Sequence, residues 1–189
     1  MHKEREGLEI TKLVLINALN RLGDLLKDKD LSYRFVCCGG VVSVLHLNSR
    51  GMTQDVDVVF PKNMNNVDIL NDLIKQVGDE FNIEYKSDSL WFNNSVEFIG
   101  LGTCSDVVIF NHPNLVLVGA EWTEMLAHKI SAYRGDRDVI DGIGFLKEIK
   151  DNDCASVYKI VRKYKPFVPL VPDDIFKKRF MEIWKRAYG

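Results

Sequence analysis

A pair of glycines followed by a pair of aspartates places the strongest constraint on the fold of this chain. Gly39 and Gly40 end an apolar run, and fourteen residues separate them from Asp55 and Asp57, which alternate with valines. Alternate residues of a strand face the same side, so the two carboxylates point together while the valines are buried. Neighbouring carboxylates repel each other unless a cation lies between them. Hard oxygen ligands suit Mg²⁺, which proteins hold with one or two carboxylates and substrate phosphates.

Each half of this pattern also has an ordinary interpretation. A D-x-D is often the solvated face of an edge strand, and a lone Gly-Gly is more often a turn than a phosphate cradle. Here two strand-like segments, residues 33–38 and 55–60, flank a short helical segment, residues 41–47. Strands joined by so short a connection tend to be neighbours in one sheet, and the first N–H groups of the helix can face an anion. We therefore predict that the glycine turn lies within reach of both aspartates.

This arrangement resembles the signature of the polymerase-beta-type nucleotidyltransferase superfamily, and most closely its minimal branch, which contains abortive-infection-type toxins. In that branch an arginine and a threonine precede the paired aspartates, and Arg50 and Thr53 fill those places. The resemblance covers roughly residues 33–145. The spacer is slightly longer than usual, and Gly40 replaces the serine of better-studied members. Ser43, one turn into the following segment, either replaces that hydroxyl or is a small residue that permits helix packing.

The order of periodic segments predicts an α/β (α+β) fold. Helical and strand-like segments alternate in the first part of the chain, and mainly helical segments follow, which indicates a small mixed sheet flanked by helices. We expect a nucleotidyltransferase-like core with an N-terminal helix in residues 1–120 and a helical region in residues 121–189. A hydrophobic fraction of 46% is sufficient for a sizeable core. The predicted strands are 33–38, 55–60, 83–85, 90–92, 96–101, 107–110 and 115–118; the predicted helices are 8–26, 41–47, 67–77, 123–134, 139–150, 155–164 and 175–188.

The resemblance implies transfer of an NMP from an NTP to an acceptor hydroxyl on an RNA end, a protein or a small molecule. Two Mg²⁺ ions would be held by Asp55, Asp57 and a third carboxylate. Asp106, which opens an apolar strand, is favoured for that third position, and Glu97 is the alternative. Either can also be an exposed carboxylate at a strand end. A catalytically inactive module of the same fold, which binds a nucleotide or another protein, remains the alternative function.

A second stretch with possible functional residues follows the predicted sheet. By the resemblance, Lys129 contacts the triphosphate and Asp138 attaches the helical region to the sheet. A lysine ammonium is a point charge suited to phosphate. Alternatively, Asp138 is an ordinary helix N-cap. Gly39, Gly40, Ser43, Arg50, Thr53 and Lys129 are therefore the predicted substrate-binding residues.

Charge and composition bound the partners. The formal net charge is −2, so no overall basic field attracts nucleic acid. Residues 147–189, however, contain eleven Lys or Arg and six Asp or Glu, which suits an RNA acceptor such as tRNA, although a solvated helix face is the ordinary explanation. The toxin resemblance adds an antitoxin-like protein partner. The sequence shows no apolar run of membrane-spanning length, and we expect a cytoplasmic protein with no membrane partner and free, buried cysteines.

Overall fold

The computed structural model describes residues 9–84, 89–96, 101, 104–166 and 170–189. These residues form an α/β fold with a small mixed sheet and a helical C-terminal part, as predicted. The strands are β1 (Ile10–Thr11), β2 (Tyr33–Cys38), β3 (Met52–Thr53), β4 (Val56–Val59), β5 (Phe92–Asn93), β6 (Cys104–His112) and β7 (Leu115–Ala120). The helices are α1 (Lys12–Asp28), α2 (Gly40–Leu45), α3 (Val67–Glu80), α4 (Trp122–Ala132), α5 (Asp136–Glu148), α6 (Cys154–Lys163) and α7 (Asp173–Tyr188).

The main sheet has five strands in the order β5-β4-β2-β7-β6. Strand β2 lies in the centre, antiparallel to β4 and parallel to β7. Its register places Cys38 opposite Asp57, and β4 in turn runs parallel to β5, with Asp57 beside Asn93. The predicted pairing of the two strands that flank the glycine turn is confirmed. This pairing brings the end of β2 and the start of β4 to the same edge of the sheet.

A small ribbon ties the segment before β4 to the N-terminal part of the chain. Strands β1 and β3 pair antiparallel, with Ile10 opposite Thr53. Helix α1 then begins at Thr11, whose hydroxyl accepts a hydrogen bond from the Val14 N–H. Leucines at helical spacing form a fully buried stripe along α1, and α1 packs against α3. The stripe consists of Leu15, Leu19, Leu22 and Leu26.

The chain divides into two compact units. One comprises Met1–Glu97 and Asp106–Gly119, and the other Phe98–Ser105 and Ala120–Gly189. The second unit contains helices α4 to α7, where α5 packs against both α4 and α7. Its core combines aliphatic side chains with a few aromatic rings, each of which buries a large area. The fully buried residues of this core include Phe145, Phe176, Phe180 and Ile183.

Some predicted strands differ from the structure. Residues 83–84 are not in a strand, and Tyr85 and residues 97–100 lie outside the described residues. Strand β5 is shorter than its neighbours, whereas β6 is longer than predicted and begins at Cys104. No helix within the described parts of the chain has both the length and the apolar character needed to cross a bilayer.

Candidate functional site

The turn after β2 is built on a backbone conformation that favours glycine. Gly39 has φ 68° and ψ −131°, and α2 starts at the next residue. A Cβ atom at Gly39 would lie 3.7 Å from Oδ2 of Asp57. The carboxylate is this close because Cys38, the residue before the turn, is the strand partner of Asp57. The structure thus places the glycine turn against Asp57, as the spacing of the motif predicts.

The two aspartates lie at the start of β4. Asp55 immediately precedes the strand and Asp57 is its second residue. Val56 and Val58 are completely buried, whereas both aspartates are half-buried. The predicted alternation is therefore confirmed, and neither carboxylate is sealed in the apolar core. Carboxylates are hard oxygen ligands to which Mg²⁺ is suited, and that of Asp57 lies beside the glycine turn.

The second glycine creates room for two other predicted residues. A Cβ atom at Gly40 would lie 2.1 Å from Oγ1 of Thr53 and 2.7 Å from Nη2 of Arg50. The Thr53 hydroxyl, in turn, donates a hydrogen bond of 3.1 Å to the carbonyl oxygen of Asp55. A serine at position 40 would need the space that the Thr53 hydroxyl occupies. The absence of a side chain at position 40 is thus matched by the position of the Thr53 hydroxyl.

The Ser43 side chain stabilises the glycine turn. Its side chain is fully buried, and its hydroxyl donates a hydrogen bond of 3.3 Å to the carbonyl oxygen of Gly39. The hydroxyl is therefore directed at the protein backbone, and the arrangement favours a role in positioning the turn. Helix α2 has only six residues. The macrodipole of so short a helix contributes little to binding an anion, and the more important feature is that a ligand can approach the backbone closely at Gly39.

The structure does not bring Asp106 to the other two aspartates. Asp106 is an exposed residue of β6, with a left-handed backbone at φ 61°. Strands β2 and β7 lie between β4 and β6, which at about 4.8 Å per strand separates the backbones of β4 and β6 by roughly 14 Å. The geometry thus gives no support for Asp106 as the third ligand. Glu97, the alternative, lies outside the described residues, and the described ranges contain no group of three His, Cys, Asp or Glu side chains able to hold a metal.

Asn93 is a neighbour of Asp57 that the sequence analysis missed. It pairs with Asp57 across the parallel β4–β5 ladder and is only 8% exposed. Its amide nitrogen donates to the carbonyl oxygen of Leu90, and its amide oxygen accepts from the N–H of Ser95. These bonds shape the turns on both sides of the two-residue strand. Asn93 therefore supports the strand beside Asp57, and both ends of its amide are hydrogen-bonded to the backbone.

Lys129 belongs to the helical unit, where it joins a buried ionic cluster. Its ammonium nitrogen lies 3.0 Å from a carboxylate oxygen of Asp138 and 2.8 Å from one of Asp141. Asp138 also accepts hydrogen bonds from the backbone and side chain of Arg134. These bonds join α5 to α4 and to the residue that follows its C-cap, and the expected attachment of the helical region to the sheet through Asp138 stays a prediction. The contacts of Lys129 favour a structural role over contact with a triphosphate.

The Asp138 carboxylate is strongly stabilised in its charged form. Burial raises its pKa, but the positive charge of Lys129 and the hydrogen bonds from Arg134 outweigh burial and lower the pKa to about 2. The side chains of Asp138 and Asp141 are almost fully inaccessible to solvent. Buried carboxylates of this kind need a compensating cation, which Lys129 supplies.

Comparisons with known proteins add no further constraint. No protein-family model matches the chain, and searches of the curated proteins and of the solved structures find no match. The function must therefore be argued from the glycine turn and the two carboxylates themselves.

Proposed function

We propose that this chain is a magnesium-dependent nucleotidyltransferase, which transfers the NMP of an NTP to a hydroxyl of an acceptor. The observation that carries the proposal is the contact between the glycine turn and β4. Gly39 has a positive φ, and a Cβ atom built on it would lie 3.7 Å from Oδ2 of Asp57, a half-buried residue of β4.

The donor set fits Mg²⁺. Asp55 and Asp57 would hold the ion, since both are carboxylates at one strand start and both retain solvent access. When bound, Mg²⁺ supplies charge neutralisation for the triphosphate and lowers the pKa of the attacking hydroxyl. Gly39 has no side chain, so the phosphates can approach the backbone beside the same carboxylates.

The remaining residues of the site position these groups. The hydroxyl of Ser43 holds the carbonyl of Gly39, and the hydroxyl of Thr53 holds the carbonyl of Asp55. The Arg50 guanidinium, in the connection before β3, occupies space beside Gly40 and carries the positive charge that a triphosphate needs. In the reaction the acceptor oxygen bonds to the α-phosphorus, the bond from that phosphorus to the oxygen bridging to the β-phosphate breaks, and pyrophosphate leaves. The hydroxyl proton passes to a carboxylate of the site or to water.

Nucleotide binding is tested by thermal unfolding with and without NTP and Mg²⁺. At ten times Kd a ligand stabilises the folded state by about 1.4 kcal/mol, which raises Tm by roughly 3–6 °C in a chain of this size. Asp57→Asn is expected to abolish the shift. Asp72→Asn, which changes an exposed carboxylate on α3, is the matched control and should retain it. Equal shifts in both variants would count against the proposed site.

Turnover is tested with NTPs that carry the label at the α-phosphate or at the γ-phosphate. They are incubated with RNA, cell extract and the protein itself. Nucleotidyl transfer places the α-label on the acceptor and leaves the γ-label in pyrophosphate. Asp55→Asn should lower the rate by about 100-fold or more, because metal coordination contributes several kcal/mol to the transition state. Transfer of the γ-label would identify phosphoryl transfer instead. Thermal stabilisation without any transfer would identify the inactive nucleotide-binding module.

A further inference from the structure

A basic cleft lies between the end of α6 and the start of α7. It has a volume of about 640 Å³ and lies within the helical unit. Among the described residues, four cationic side chains and one carboxylate, that of Asp173, line it. None of the residues of the proposed nucleotidyltransferase site belongs to its described lining. The four cations are Lys159, Arg162, Lys163 and Lys165.

The cations are arranged along one side of α6. Lys159 precedes Arg162 by three residues and Lys163 by four, and residues at these spacings lie on one face of a helix. All three are exposed. Like charges on adjacent turns repel each other, so this face is more stable when an anion lies across it.

Asp173, the first residue of α7, pairs with two of the four cations. One of its oxygens lies 2.5 Å from Nη2 of Arg162 and the other 2.6 Å from Nζ of Lys165. These hydrogen bonds lower the pKa of Asp173, so the carboxylate is charged at neutral pH. The aspartate therefore competes with an external anion for two of the four cations, and it offsets only a quarter of their charge.

The cleft also has an apolar part. Tyr158, Pro166 and Leu170 line it together with the cations, and Leu170 is 79% exposed. The Tyr158 ring is held in place because it packs against Phe180, with 5.1 Å between ring centroids. Grooves that combine cations with aromatic and apolar surface are typical of sites for single-stranded nucleic acids, whose backbone meets the cations while the bases contact the rings.

We infer that this cleft binds the phosphodiester backbone of a single-stranded nucleic acid. Its cations line an open cleft together with an aromatic ring, whereas a membrane-binding surface spreads its cations and apolar groups over a plane. Binding itself does not depend on nucleotidyl transfer. Only the further role of the strand as the acceptor, with its terminal hydroxyl as the target, rests on the proposed function.

The test is fluorescence anisotropy with labelled single-stranded RNA and DNA oligonucleotides of the same sequence, without NTP or Mg²⁺. The double variant Lys159→Gln/Lys163→Gln should bind roughly tenfold more weakly than the unmodified chain. Each phosphate contact contributes about 0.7 to the salt slope of a single strand. Loss of two contacts should therefore reduce the affinity change between 50 and 200 mM salt by about sevenfold.

Two further variants make the result decisive. Lys177→Gln/Lys178→Gln removes the same charge from exposed lysines of α7 outside the cleft and should leave binding nearly unchanged. Asp173→Asn releases Arg162 and Lys165 and should strengthen binding. Equal weakening by both lysine pairs, no weakening by the first pair, or binding only to anionic phosphatidylserine vesicles would overturn the inference. Asp55→Asn should bind the oligonucleotide normally, so that failure of nucleic-acid binding is distinguished from failure of nucleotidyl transfer.

Discussion

Replacement of Gly40 by alanine tests the packing on which the candidate site depends. The new Cβ atom would lie 2.1 Å from Oγ1 and 3.0 Å from Cβ of Thr53. A carbon and an oxygen in contact need more than 3 Å, so the threonine hydroxyl must move by about 1 Å. Thr53 cannot move freely, because it is 3% exposed, pairs with Ile10 in the β1–β3 ribbon and has a stiff β-branched side chain.

The expected cost follows from these contacts. Overpacking of a well-packed site costs about 1–3 kcal/mol, and the better helix propensity of alanine in α2 returns up to about 1 kcal/mol. The net destabilisation is therefore about 1–2 kcal/mol, or roughly 2–8 °C in Tm. Gly51→Ala is the matched control, since a Cβ atom there meets nothing within 4 Å. It should change stability by less than about 1 kcal/mol, in the stabilising direction.

A double-mutant cycle identifies the cause. Thr53→Ala alone removes the hydrogen bond to the Asp55 carbonyl and should cost about 1 kcal/mol. In the Gly40→Ala background the same change removes the overlap with the Thr53 hydroxyl, while the contact of 2.7 Å with Nη2 of Arg50 must still be relieved by movement of that flexible side chain. The two substitutions should therefore couple by about 1 kcal/mol. Urea unfolding followed by tryptophan fluorescence measures this, with Trp91 as the buried probe in the same unit. If Gly40→Ala is as harmless as Gly51→Ala, or the cycle shows no coupling, the steric argument is refuted.

Three further predictions concern buried charges and one close contact. Lys129→Met leaves two buried carboxylates without their cation and should destabilise the chain by about 3–5 kcal/mol in urea unfolding, whereas exposed Lys177→Met should have little effect. The pKa of Asp138 in the folded chain is about 2, below its ordinary value of 3.8, so ionised Asp138 stabilises the fold by about 2 kcal/mol above pH 4 and this stabilisation is lost as pH falls from about 4 to 2. Thermal unfolding across this range should show the loss of stability, and Asp138→Asn should abolish that pH dependence. Gly23→Ala would place a Cβ atom 2.2 Å from Nδ1 of His112 and should cost about 1–3 kcal/mol, recovered in part by His112→Ala in a thermal-unfolding cycle.

The local parts of the fold were predictable from sequence because their patterns are local. Strand β2 is an apolar run closed by glycine, and α3 has a helical apolar stripe that begins at Val67. The alternation around Asp57 likewise identified which residues of β4 would be buried. These features depend on backbone periods of 2 and 3.6 residues, which any short window of sequence reveals.

The long-range parts were not predictable. The interpretation of Asp106 failed to gain support because strand order is not encoded in periodicity: β7 pairs with β2 and places β6 at the far edge. A strand was predicted at residues 90–92, but its parallel pairing with β4, which places Asn93 beside Asp57 in β5, is a long-range contact. The fit of Thr53 against Gly40 joins two chain segments that are distant in sequence, and no local sequence pattern encodes such a contact.

The pairing of Cys38 with Asp57 has a consequence for how this chain can change in length. Residues 46–51 form a connection outside the helices and strands, where insertions cost little free energy. One extra residue between Thr53 and Val56 would instead shift β4 by a single position, and the face that now presents a carboxylate beside the turn would present a valine. The number of residues in the 46–51 connection can thus vary, whereas a one-residue insertion before β4 would exchange the residues on its two faces.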